Sequence, residues 1–113
     1  MKQDLDGLIG FKDYNPNPIT KETVEFAKDV IENLSDFDFW MKYNECYPCG
    51  DGSIKLEYLI TEQNYIDIIV NPNNVLDIIH EFGEGFFYVT IFEKEDVTLE
   101  TVINYLNQYS VNK

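Results

Sequence analysis

Two cysteines in the run Cys46-Tyr47-Pro48-Cys49 stand at the spacing of a dithiol redox centre, the first chemistry this sequence suggests. That chemistry needs one sulfur held as thiolate, ordinarily by a helix N-terminus or a nearby cation. Here Gly50-Asp51-Gly52 and then an alternating, strand-like run follow the second cysteine, so no helix begins there. Glu45 and Asp51 flank the pair, and like-charge repulsion raises a thiol pKa. The pair therefore reads as two reduced thiols in the lead-in to a strand, with a thiol oxidoreductase as the competing enzymatic reading. A zinc site would need Cys46, Cys49, His80 and a carboxylate together, because His80 is the only histidine. His80 lies in an apolar run beside Glu81, with no serine or third cysteine at a spacing that would make it the base for a nucleophile. It reads as a packed or surface residue, not a general base. Asp51-Gly52-Ser53 is too short for a calcium loop, and there is neither a phosphate loop nor a basic nucleic-acid patch. The expectation is a non-enzymatic protein with no catalytic residue, no metal and no cofactor.

The charge balance narrows the partners. Twenty-one Asp and Glu stand against eight Lys and no Arg in 113 residues, a formal net charge of -13. Such a field repels nucleic acid and anionic membrane and attracts basic proteins. The missing arginine also removes the usual bidentate clamp for phosphate. With 44% hydrophobic and 15% aromatic residues the chain has enough apolar area for one core, so the acid coats a folded surface. No apolar run reaches the roughly 18 residues of a membrane-spanning helix, and the first residues lack the order of a secretory signal. A cytoplasmic protein with reduced thiols is expected.

The elements follow from periodicity. Residues 50–70 read as a β-hairpin: Ile54, Leu56, Tyr58 and Ile60 share one face of a strand, Glu62-Gln63-Asn64 reverses it, and Ile66, Ile68 and Val70 supply a second apolar row. Residues 1–19, with Gly7, Gly10 and Asn15-Pro16-Asn17-Pro18, form an arm whose Leu5, Leu8, Ile9, Phe11 and Ile19 can dock on the single domain at 20–113. Thr20 caps a helix whose stripe is Val24, Ala27, Ile31 and Leu34, ending near Ser35. The period then changes to two, with Phe37, Phe39, Met41 and Tyr43 alternating with Asp36, Asp38, Trp40 and Lys42. The run 75–82 fits either strand or helix and is taken as strand, Gly83-Glu84-Gly85 breaks it, and a β-rich run covers 86–93. Thr98 caps a second helix with the stripe Leu99, Val102, Ile103, Leu106 and Tyr109. The fold class expected is α+β: helix, antiparallel meander of about five strands, helix, with both helices on one face.

If Phe37/Phe39/Met41, Ile54/Leu56/Tyr58/Ile60 and Phe87/Val89/Ile91 face the helices, the outer face carries Trp40, Leu59, Phe86, Tyr88 and Phe92 among Asp36, Asp38, Glu57 and Asp67. Aromatic anchors ringed by charge describe a protein-binding surface. The candidate partner-binding residues are Trp40, Asp36, Asp38, Glu57, Tyr88 and Phe92, engaging a basic protein or a second copy of the chain.

Pro48, Asp51-Gly52, Ile54, Leu56-Glu57 and Tyr58 form the pattern P-x-x-D-G-x-I-x-L-E-Y, which resembles a strand motif of uncharacterised small bacterial proteins in which a helix corresponding to residues 27–34 precedes the motif. Tyr58 stands where tryptophan is usual, and about a third of the chain is covered. The resemblance implies a fold and a bacterial or phage origin, not an activity. The helix–meander–helix order and acidity are also similar to small dimeric secretion chaperones. The functional expectation is an acidic inhibitor-, immunity- or antitoxin-like binding module, with a dimeric chaperone-like protein as the alternative.

Overall fold

The computed structural model describes residues 5–10, 18–35, 42–49, 51–61, 63–84 and 87–108. The alternation at 36–41, with Asp36, Phe37, Asp38, Phe39, Trp40 and Met41, lies outside the described residues, as do Phe11, Phe86 and Tyr109. The chain is an α+β domain built on a five-stranded antiparallel meander in the order β1-β2-β3-β4-β5. The strands are β1 (Lys42–Pro48), β2 (Ile54–Thr61), β3 (Asn64–Val70), β4 (Leu76–Glu84) and β5 (Phe87–Val97), and the helices are α1 (Lys21–Ser35) and α2 (Leu99–Asn107).

The hairpin forms at the expected place. Leu56 pairs with Ile68 and Tyr58 with Ile66, so the apolar rows of β2 and β3 share one face. Pairing of Ile68 with Ile78 and Ile66 with His80 carries that face onto β4. Ile54, Leu56, Ile66, Ile68, Val70, Leu76 and Ile78 are fully buried there, each contributing roughly 1.5–3 kcal/mol of apolar transfer. The run at 75–82 is a strand because β3 and β5 pair with it on both sides. It does not break at Gly83: the strand continues to Glu84, and the Gly83 amide donates to the Gln63 carbonyl. A Cβ at Gly83 would run into the Phe87 carbonyl oxygen, so the hairpin closes only because that position has no side chain.

Both helices start where their caps predict. Thr20 Oγ1 accepts from the Thr23 amide at 3.2 Å, and Thr98 Oγ1 from the Thr101 amide at 3.3 Å. Val24, Ala27, Val30 and Leu34 of α1, and Val102, Tyr105 and Leu106 of α2, join the same buried cluster as the sheet residues, so both helices cover one face. The arm docks as expected through Leu5, Leu8 and Ile19, with Leu5–Leu8 forming a 3-10 turn, while Ile9 stays exposed.

Strand β5 departs from the simple alternation. His80 pairs with Phe92 but Glu81 with Thr90, so Ile91 is skipped and the side-chain parity flips there. Phe92 consequently lies on the helix side, stacked on Tyr105 with ring centroids 4.1 Å apart. Its expected place on the outer face is therefore corrected. Nor do Phe87, Val89 and Ile91 build the core: they are 82%, 66% and 51% exposed, because the described helices bury the far part of the sheet and not this corner.

Candidate partner-binding face

The face opposite the helices is assembled by the pairings Tyr47 with Lys55, Glu57 with Asp67, Leu59 with Tyr65, Tyr65 with Glu81, and Gly83 with Tyr88. Cross-strand partners project to the same side. Lys55, Glu57, Leu59, Tyr65, Asp67, Glu81 and Tyr88 line a shallow, open concavity of about 490 Å³. Tyr65 and Tyr88 meet edge to face at 5.7 Å between ring centroids and form one wall.

At its floor lies Asp67, 8% exposed on the middle strand. Its Oδ1 is closed to solvent and has no hydrogen-bond partner among the described residues. Its Oδ2 is 4.0 Å from Lys55 Nζ, too long for a hydrogen bond, and Lys55 also reaches over the Tyr47 ring, 5.6 Å from the centroid. Burial pushes the Asp67 carboxyl up to about 6; Glu57 and Glu81 add to the rise and Lys55 opposes it. Beside this pocket, Tyr47 donates to Glu45 Oε2 at 2.7 Å, and that bond is the first cause of a phenol raised to about 12. A raised carboxyl in a cavity is also what a general acid or base needs. Its neighbours here are carboxylates, phenols and one lysine already engaged at the rim, a set whose plainest property is attraction for a cation.

Of the candidate residues, Glu57 and Tyr88 come together in this concavity. Phe92 does not join them, and Trp40, Asp36 and Asp38 lie outside the described residues. Sequence reasoning missed Tyr65 and Glu81, and placed Asp67 on this face without seeing its burial. The signal for Tyr65 was present: in β3 it alternates with the buried Ile66, Ile68 and Val70.

The three residues with chemical potential are kept apart. Cys46 is buried on β1 opposite Leu56, Cys49 is half-buried in the following turn, and neither forms a disulfide among the described residues. Burial, and secondarily Asp51, raise the Cys49 thiol against the lowering hydrogen bond from Ser53. His80 sits on β4, with β2 and β3 between it and Cys46. It is buried on the helix side, Nδ1 2.8 Å from Tyr105 Oη and Nε2 3.2 Å from Asn64 Oδ1. With Asn64 as acceptor, Nε2 carries the proton and Nδ1 accepts from the tyrosine. Burial lowers its pKa. Of the two places the sequence allows His80, packed or surface, it takes the packed one.

No described helix is long and apolar enough to cross a membrane. No family model, curated protein or solved structure matches this chain.

Proposed function

We propose that this protein is a non-enzymatic, cytoplasmic binding module of the inhibitor, immunity or antitoxin kind, whose outer sheet face engages a basic partner protein. The observation that carries the reading is the concavity in which Glu57, Asp67 and Glu81 lie beside Tyr65, Tyr88 and Leu59. A net charge of -13 speeds the encounter with a basic surface, and partly desolvated aromatics hold the complex once formed. Affinity capture from native lysate at low and high salt tests this, with an E57Q/E81Q variant beside the wild type. The expected result is basic protein retained at low salt, released at high salt and depleted on the variant. Equal capture by both proteins, or none by either, would end the reading.

Strand β5 supports a second reading, a homodimer of the chaperone-like kind. It is a sheet edge of 11 residues whose Phe87, Val89 and Ile91 are exposed, and such an edge is a template for another strand. Salt separates the two readings, because two copies each carrying -13 repel while a basic partner attracts. A dimer strengthens with salt in light scattering and is lost in V89K; the basic-partner complex weakens with salt and survives V89K.

A further inference from the structure

Resting on that reading, we infer that the concavity around Asp67 is the seat of a single arginine side chain of the basic partner. Its guanidinium is bonded by the Asp67 carboxylate, with its plane against the Tyr65 and Tyr88 rings. The cradle offers what such a group needs. Arginine brings five N–H donors and no acceptor, and Glu57, Asp67 and Glu81 offer carboxylate acceptors only. Asp67, whose side chain is 11% exposed, lines the cavity and keeps one oxygen without a hydrogen bond among the described residues. Oδ2 faces Lys55 at non-bonding distance, and the soft χ2 torsion of aspartate turns the second oxygen outward when a fork-shaped donor arrives. Lys55 retains its place at the rim, over the Tyr47 ring.

Two observations select the occupant. A guanidinium is planar and weakly hydrated, so it stacks on the Tyr65 and Tyr88 walls where a compact, strongly hydrated ammonium gains less. Among the described residues no three His, Cys, Asp or Glu side chains converge as ligands for a metal ion. The chain itself contains no arginine, so a second copy cannot supply the group and the donor is another protein.

The test is an amide NMR titration of the full chain at pH 7.5 and low salt with acetyl-Ala-Arg-Ala-amide, against its lysine analogue. Shifts are expected to concentrate at Glu57, Tyr65, Asp67, Glu81 and Tyr88, with arginine bound several-fold more tightly than lysine. D67N should weaken the arginine peptide about tenfold, the loss of one charge-assisted fork, and Y88L by less. The thermal melt of D67N guards against misfolding, since that variant is expected to be at least as stable as wild type. Shifts spread evenly over the acidic surface, equal binding of the two peptides, or undiminished binding by D67N would each overturn the inference. A lysate capture that fails while the peptide result holds counts against the basic-partner reading alone; a capture that succeeds equally with D67N counts against the arginine seat alone.

Discussion

His80 and Asp67 sit on adjacent strands of one sheet, on opposite faces, and their surroundings treat a buried ionisable group in opposite ways. His80 is 1% exposed, with both ring nitrogens bonded and its ring edge-on to Tyr105. Asp67 is also buried, at 8% exposed, yet among the described residues one oxygen has no hydrogen-bond partner and the other lies 4.0 Å from Lys55 Nζ. A satisfied polar group fixes the packing around it, whereas an unsatisfied one destabilises the protein. The surroundings of His80 are thus finished within the chain and those of Asp67 are not.

The largest way to break the contrast is H80A. It opens a cavity under α2 and removes the hydrogen bonds that His80 makes to Tyr105 Oη and Asn64 Oδ1, for an expected loss of about 3 kcal/mol. Urea denaturation should show the midpoint fall with the slope unchanged. A loss below about 1 kcal/mol would mean that the surroundings of His80 tolerate lost hydrogen bonds as readily as those of Asp67 do.

D67N sharpens the contrast from the other side and should stabilise. The folded carboxyl is raised to about 6 from an ordinary 3.8, so between those values the folded protein binds more protons than the unfolded. Stability from this group is therefore full at low pH and lost as pH rises through that window, by roughly 2–3 kcal/mol. Asparagine removes the penalty, so D67N should exceed wild type by about 2 kcal/mol at pH 7.5 and converge with it near pH 4. His80 has the opposite sign: its pKa is lowered by burial, so its contribution is present above 6.5 and declines as pH falls below it. Asp67 offsets part of that decline in the wild type, and D67N should consequently lose stability more steeply on acidification. Parallel pH profiles for the two proteins would refute the assignment.

The helix side was far more legible in the sequence than the outer one. The caps Thr20 and Thr98, the period-two rows of β2 and β3, and the helical stripe of α1 are local signals, and each element forms where its signal lies. Phe92 was misplaced because the bulge at Ile91 flips the parity of β5 without a glycine or proline to announce it. Tyr105 was missed although Val102, Tyr105 and Leu106 fit helical spacing; reading the stripe through Ile103 turned it too far around the helix. Asp67 could be set on the outer face by counting, but the side chains that gather around it, Lys55 and Glu57 from β2, Glu81 from β4 and Tyr88 from β5, come from other strands, which no local pattern reports.

The smallest test removes a neighbour rather than the buried group itself. Y105F deletes the hydroxyl bonded to His80 Nδ1 and keeps the ring stacked on Phe92, so it should cost about 1 kcal/mol, the net worth of one buried hydrogen bond. That bond favours neutral imidazole, and its loss should move the His80 pKa upward toward 6.5 in a histidine NMR titration. K55M is the counterpart across the sheet. Lys55 is a third exposed and attracts Asp67 across 4.0 Å, so at pH 7.5 K55M should cost less than about 1 kcal/mol, with the Asp67 pKa rising by a correspondingly small amount. If Y105F is silent while K55M costs more than about 1 kcal/mol, Asp67 depends on Lys55 more than His80 does on Tyr105, and the contrast between the two residues fails.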